Sequence, residues 1–104
     1  MGINQFNVFV IPSADLKLAS HIEFLARVSK KASLHLYESY KEALAFLSSN
    51  PYGCTAYYPK TALAIELRYK LFYERYRLVF RIIGNEIYVY DIQDCRQDID
   101  KRLI

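Results

Sequence analysis

Residues 70–102 decide the fold of this 104-residue chain, and they read KLFYERYRLVFRIIGNEIYVYDIQDCRQDIDKR. Side chains alternate between two sets over residues 76–83, as they do in a strand with one buried face. Gly84 and Asn85 follow and predict a two-residue hairpin turn. The register of the hairpin is then fixed, because a slip of one residue would turn every side chain to the other face of the sheet.

This register predicts one apolar face and one face rich in arginine and tyrosine. The opposite pairs expected on the apolar face are Ile82 with Ile87 and Phe80 with Val89. The opposite pairs expected on the other face are Arg81 with Tyr88, Val79 with Tyr90, and Arg77 with Ile92. The second face therefore carries the cations of the predicted hairpin.

An earlier strand is predicted around residues 70–73, with a two-residue turn at residues 74–75 joining it to the next strand. A turn of that length places Lys70 and Phe72 on the face that carries Arg77. Three tyrosines are expected to point instead toward the helices: Tyr69, Tyr73 and Tyr76.

The first half of the chain predicts one strand and two helices. Residues 4–11 alternate as a short strand, and proline and serine follow it. Apolar residues then recur at helical spacing in two runs: Leu18, Ile22, Leu25 and Val28, followed by Ala32, Leu36, Tyr40, Ala43 and Leu47. The second helix is expected to end at Asn50, because the residue before a proline avoids the helical conformation.

The predicted fold class is α+β, with the two helices packed as a hairpin on the sheet. The expected order is an N-terminal strand, an α-helical hairpin, a three-stranded antiparallel meander and a short C-terminal helix or tail. Residues 51–60 are interpreted as an aromatic-rich loop, and residues 61–68 are compatible with either a helical turn or an edge strand. One domain over residues 1–104 accounts for the whole length.

Composition excludes several classes of protein. Hydrophobic residues make up 53% of the chain, which argues against a disordered segment. No apolar run approaches the roughly 20 residues that cross a bilayer. The net charge of +3 is modest, but residues 68–81 hold five cationic side chains against one carboxylate. The basic charge is concentrated on the predicted sheet.

Cysteine and histidine placement gives no sign of a metal or cofactor site. Cys54 and Cys95 lie in no CxxC motif, and His21 and His35 fall within predicted helices. Residues 1–11 lack the cationic start and sustained apolar run of a secretory signal. We therefore expect a cytoplasmic protein with reduced thiols and no cofactor.

Five segments, in this order, resemble a known family: FNVFVI, HIEFLARVS, EALAFLSSNP, YRLVFRI and DCRQDIDKRLI. Together they span nearly the whole chain, and residues 76–80 and 95–98 are the most specific parts. The chain thereby resembles the RelE/ParE superfamily of type II toxin-antitoxin toxins. The resemblance implies a curved antiparallel sheet packed on a helical hairpin, and a cognate antitoxin as partner.

The resemblance leaves the activity open. RelE-like members are endoribonucleases that cleave mRNA on the ribosome, whereas ParE-like members inhibit DNA gyrase and are not known as nucleases. The nuclease is the leading expectation, with a gyrase inhibitor or a degenerate toxin that only binds its antitoxin as alternatives. In each case we expect an acidic, amphipathic antitoxin segment to cover the basic sheet and the helical hairpin.

The nuclease hypothesis assigns roles to particular side chains. RNA cleavage without a metal needs a base for the 2′-hydroxyl proton, cations for the phosphate and an acid for the leaving oxygen. Arg77 and Arg81 suit only the phosphate, because a guanidinium group does not titrate in the working range. The base would be Lys70 or a tyrosine whose pKa is lowered by neighbouring cations.

The resemblance adds Arg96 after the last strand, and Gln97 stands where a second arginine or a histidine is common in the family. The complete expected site has catalytic residues Lys70, Arg77, Arg81 and Arg96, and substrate-binding residues Tyr88, Tyr90 and Gln97. The two tyrosines would stack on RNA bases.

Overall fold

The computed structural model describes residues 5–58 and 65–95. Over those residues the elements are β1 (Asn7–Val10), α1 (Pro12–Ala26), α2 (Lys30–Ser49), β2 (Thr55–Tyr57), β3 (Leu67–Phe72), β4 (Tyr76–Ile83) and β5 (Glu86–Asp94). The α+β class is confirmed, but the sheet is larger than the predicted three-stranded meander. The predicted C-terminal helix or tail lies outside the described residues.

The five strands form one mixed sheet in the order β1-β5-β4-β3-β2. Strands β3, β4 and β5 make the predicted antiparallel meander, and β2 adds antiparallel to the outer side of β3. Strand β1 pairs parallel to β5, since the helical hairpin carries the chain across one face before the meander begins. Residues 51–60 were interpreted as a loop, which was wrong for Thr55–Tyr57, the strand β2. A strand of three residues is too short to show an alternating pattern in the sequence.

The hairpin between β4 and β5 confirms the predicted turn and the register beside it. Gly84 has φ +61°, a conformation that favours glycine, and Ile83 pairs with Glu86 across the turn. Arg81 lies opposite Tyr88 as predicted. The two apolar pairs predicted next to the turn are also present.

A β-bulge changes the register farther from the turn. The pairing shifts between Val79 and Phe80, so that Val79 lies opposite Asp91 and Arg77 opposite Gln93. The predicted partners of Val79 and Arg77, one residue earlier on β5, were therefore wrong. Tyr90 is the additional residue on β5, as expected of a bulge that sets two residues against one.

The turn between β3 and β4 contains three residues rather than two. Tyr73 and Glu74 both have φ 53°, which sequence alone does not predict for residues that are not glycine. Phe72 consequently lies opposite Tyr76, and Lys70 opposite Leu78. The prediction that Lys70 and Phe72 share a face with Arg77 was wrong, because opposite residues of an antiparallel pair point to the same side.

The helices pack against one face of the sheet. Ser29 caps α2, where its hydroxyl accepts a hydrogen bond of 3.1 Å from the Ala32 N–H. The core between helices and sheet contains Ala14, Leu18, Leu36, Tyr40, Ala43, Leu47, Phe72, Tyr76, Leu78, Phe80, Ile87, Val89 and Ile92. The predicted helical stripes supply most of the helix side of this core. Ala32 is not part of it, Val28 is 78% exposed, and Ala14 was not predicted.

The opposite side of the sheet has no helix packed on it in the described part of the chain. We call this side the open face. Its side chains include Phe9, Tyr57, Tyr69, Leu71, Arg77, Val79, Arg81, Tyr88, Asp91 and Gln93. Tyr69 lies opposite Val79, so the expectation that it points toward the helices was wrong.

Candidate functional site

Arg77 and Arg81 lie on β4 with their side chains on the open face. They are four positions apart, which corresponds to about 13 Å along a strand. Each is partly buried. The two guanidinium groups therefore belong to two different regions of the same face.

The first region, the Arg77 cluster, comprises Arg77, Tyr57, Tyr69, Gln93 and Asp91. The Arg77 guanidinium carbon lies 5.1 Å from the centre of the Tyr57 ring and 5.6 Å from that of Tyr69. Its Nε–H donates a hydrogen bond of 2.6 Å to Oε1 of Gln93. Ring faces attract a cation, and the hydrogen bond fixes its direction, so Arg77 is held in one orientation.

Gln93 is in turn held by its neighbours on the open face. Its amide nitrogen donates to Oδ2 of Asp91 at 2.9 Å and to the Tyr57 hydroxyl at 3.1 Å. Asp91 is anchored by an ion pair with Lys17 of α1 and by the Ile92 N–H, which donates to Oδ1 at 3.0 Å. The network thus extends from α1 across the sheet to β2.

Sequence reasoning missed Gln93 because the bulge brings it opposite Arg77. Without the bulge, Ile92 would occupy that position on the open face. The available signal was a break in the alternation of β5: Ile87 and Val89 are two residues apart, whereas Val89 and Ile92 are three apart.

The second region, the Arg81 region, comprises Arg81, Tyr88, Phe9 and Glu86. Phe9 stacks on Tyr88 with ring centres 5.4 Å apart and an angle of 21° between the rings. The Tyr88 hydroxyl donates a hydrogen bond of 2.7 Å to Glu86. Within residues 5–58 and 65–95, Arg81 makes no hydrogen bond or ion pair.

Tyr88 is a poorer candidate base than a free tyrosine. Its hydrogen bond to the Glu86 carboxylate raises the pKa of the phenol, and burial acts in the same direction. Deprotonation would break that bond and set two negative charges side by side. Tyr88 therefore remains a neutral ring with a fixed orientation.

Lys70 lies on the helix-facing side of the sheet. Its ammonium nitrogen is 4.3 Å from the centre of the Phe46 ring on α2. Together they line an open groove of about 480 Å³ between α2 and β3, which also includes Ser39, Glu42 and Tyr73. The sheet separates Lys70 from both arginines, so it cannot serve as base for a phosphate bound on the open face.

Three other predicted site residues are not part of either region. Tyr90 is the partly buried bulge residue and has no opposite residue on β4. Arg96 and Gln97 lie outside the described residues. The predicted site is thus brought together only in part, with Arg77, Arg81 and Tyr88 on one face.

A buried ion pair fixes the β3–β4 turn to the end of β5. Asp94 is 6% exposed and accepts hydrogen bonds from Arg75 at 3.1 Å and 3.4 Å. His21 of α1 packs against the Tyr76 ring with centres 5.0 Å apart, and burial lowers its pKa. These groups lie on the side of the sheet that faces the helices. There they hold α1, the β3–β4 turn and the end of β5 together.

Within the described ranges, no three metal-ligating side chains cluster closely enough to hold an ion. Neither α1 nor α2 has the length and apolar run that would cross a bilayer. The sequence matches no family model and no curated protein.

Proposed function

We propose that this chain is the toxin of a type II toxin-antitoxin pair and that it acts as a RelE-like endoribonuclease on ribosome-bound mRNA. The observation that carries the proposal is the presence of Arg77 and Arg81 on the open face, among aromatic rings. Guanidinium groups bind phosphates and aromatic rings stack on unpaired bases, so this surface suits single-stranded RNA. The helical hairpin behind the sheet and the segments quoted above support the same assignment.

Arg77 suits the transition state, where negative charge builds on the phosphate. A donor that is already oriented needs no reorganisation as charge develops, which is the basis of electrostatic catalysis. Gln93 is the positioning residue that holds Arg77 through its Nε. Arg81 suits the initial capture of the RNA backbone, and Tyr88 suits stacking.

A second candidate is a ParE-like toxin that inhibits DNA gyrase without cleaving RNA. Two observations favour it: Lys70 faces the helices, and the pKa of Tyr88 is raised rather than lowered. Each of these observations removes one candidate base from the open face. In either case the partner is a cognate antitoxin, whose acidic segment would complement the net charge of +3.

Toeprinting of mRNA in a purified translation reaction tests the first candidate. We expect wild-type protein to cut mRNA in the ribosomal A site and Arg77→Ala to lose these cuts. Arg27→Ala is the matched control, because Arg27 is an exposed arginine directly after α1 and is paired with Glu23. Absence of wild-type cuts, or cuts that Arg77→Ala leaves undiminished, would overturn the nuclease assignment.

A supercoiling assay with purified gyrase tests the second candidate. Inhibition of supercoiling without mRNA cuts would establish the ParE-like activity. Normal growth of bacteria that express the chain without an antitoxin would contradict both candidates and identify a degenerate toxin.

A further inference from the structure

Phe9, Tyr88 and Arg81 form a row across three adjacent strands of the open face. Phe9 of β1 is the register partner of Tyr88 on β5, and Tyr88 lies opposite Arg81 on β4. Because neighbouring strands are about 4.8 Å apart, the Cα atoms at the two ends of the row are about 10 Å apart. A ring pair and a cation are thus aligned perpendicular to the strands.

The ring pair ends at the edge of the sheet. In the sheet formed by residues 5–58 and 65–95, β1 is an outer strand, so Phe9 has Tyr88 on one side and no further described strand on the other. Its side chain is 46% exposed, although its neighbours Val8 and Val10 pack against the core. An isolated exposed aromatic residue is common, but here it extends a stack whose outer end is accessible to another planar ring.

Glu86 determines how the row can bind an anion. It accepts the Tyr88 hydroxyl and thereby fixes the ring. Its carboxylate also repels a phosphate from the turn end of β5, whereas Arg81 has no paired anion within the described residues. A backbone phosphate would therefore bind on the β4 side of the row, at Arg81.

We propose that this row is a subsite for single-stranded RNA, in which a base stacks on Phe9 and a backbone phosphate pairs with Arg81. The choice of RNA rests on the function proposed above. An acidic peptide would also pair with Arg81, but it would leave the stacked rings unused. A base and a phosphate together use both halves of the row.

Binding of a short oligoribonucleotide that contains one 2-aminopurine tests this subsite directly. The fluorescence of 2-aminopurine falls when the base stacks, and the measurement uses the 104-residue chain without ribosomes. We expect wild-type protein to quench the probe, and Phe9→Leu to lose most of the quenching and bind about tenfold more weakly. Phe9→Tyr should retain both properties, because it keeps a stacking ring.

Phe24→Leu is the matched control for the ring. Phe24 is 58% exposed on α1, away from the open face, so its replacement should leave quenching and affinity unchanged. Circular dichroism melts of all three variants establish that each is folded. If the folded Phe9→Leu variant binds and quenches like wild type, the subsite is refuted.

Arg81→Gln tests the phosphate half of the row. The logarithm of the binding constant falls with the logarithm of the salt concentration. For a single strand, loss of one phosphate contact should make this slope less steep by about 0.7. Quenching at saturation should persist, because the rings remain. An unchanged slope would refute the pairing of Arg81 with a phosphate.

Failure of the subsite can be distinguished from failure of the nuclease. Quenching that requires Phe9, without ribosomal cuts, supports the subsite and refutes the nuclease. If wild type cuts mRNA but RNA affinity and quenching are unchanged in Phe9→Leu, the nuclease is supported and the subsite is refuted. Binding of an acidic peptide but not of RNA, lost in Arg81→Gln, would identify a peptide surface instead and overturn the inference.

Discussion

The Arg77 cluster and the Arg81 region lie on the same strand and face, yet they hold their arginines in opposite ways. Arg77 is in contact with two rings and bonded to Gln93. Arg81 lies beside a stacked ring pair without a bonded partner in the described part of the chain. An arginine that is held suits chemistry at a fixed point, whereas one that is not held suits capture of a flexible ligand.

The bulge on β5 causes this difference. It places an amide, rather than the apolar side chain of Ile92, opposite Arg77. Strands β2 and β3 then supply the two rings on the other side of Arg77. Beside Arg81 lies instead the part of β5 before the bulge. The short strand β1 lies beyond β5, and its last pair is Val10 with Val89.

The largest effect is expected for Arg77→Lys, which keeps the charge but removes the Nε donor and the planar group. If orientation matters as much as charge, cleavage on the ribosome should slow by about a hundredfold, in the range for loss of one preorganised donor. Arg81→Lys is the matched variant and should change the rate much less. Equal rates for the two lysine variants would remove the distinction between the regions.

Gln93→Leu should produce the next largest effect, because it leaves Arg77 in place without its acceptor. We expect the cleavage rate at saturation to fall by about tenfold to a hundredfold, since small misplacement of a reacting group is costly. RNA affinity should change little. Gln93→Glu should recover only part of the rate. Its carboxylate still accepts from Nε, but it cannot donate to Asp91 and Tyr57 as the amide does, and Asp91 repels it. A rate no higher than that of Gln93→Leu would argue that Gln93 has only a structural role.

Tyr57→Phe tests the contribution of β2 to the Arg77 cluster, and its expected effect is smaller. It removes the hydroxyl that accepts from Gln93 but retains the ring beside Arg77. Loss of one hydrogen bond should lower the free energy of unfolding by about 1 kcal/mol, measured by urea titration. Tyr69→Phe is the matched control, because the Tyr69 hydroxyl makes no hydrogen bond within the described residues although its ring also lies beside Arg77. An equal loss in that variant would mean that the bond from Gln93 to Tyr57 does not stabilise the cluster.

Lys70→Met should have the smallest effect on activity, although the sequence made Lys70 one of the candidate bases. It lies on the far side of the sheet against Phe46, where a methionine keeps the apolar contact. Cleavage and RNA binding should equal those of wild type. A large loss of cleavage would mean that the chemistry takes place on the helix-facing side.

The sequence predicted those parts of the fold that depend on local signals. The glycine at position 84 and the alternation beside it set the register near the turn, and Asn50 before proline set the end of α2. The bulge at Tyr90 was missed, although the three-residue spacing of Val89 and Ile92 breaks the alternation of β5 and indicates an additional residue. The left-handed conformations of Tyr73 and Glu74 were not predictable, since neither residue is glycine.

The candidate site, like the fold, was predictable only near the turn at Gly84, where local signals set the register. Arg81 and Tyr88 lie before the bulge and keep their predicted pairing. Arg77 lies beyond it and acquires partners that an uninterrupted alternation does not predict. Lys70 lies beyond the three-residue turn and changes face.

One measurement tests the division between the two regions most directly: the single-turnover rate of mRNA cleavage on the ribosome at saturating protein, for Arg77→Ala and Arg81→Ala. We predict that Arg81→Ala reaches nearly the wild-type rate once saturated, because its defect is in binding. Arg77→Ala should remain at least about a hundredfold slower at any concentration. Recovery of both variants at saturation, or a persistent loss in both, would contradict the assignment of chemistry to Arg77 and of capture to Arg81.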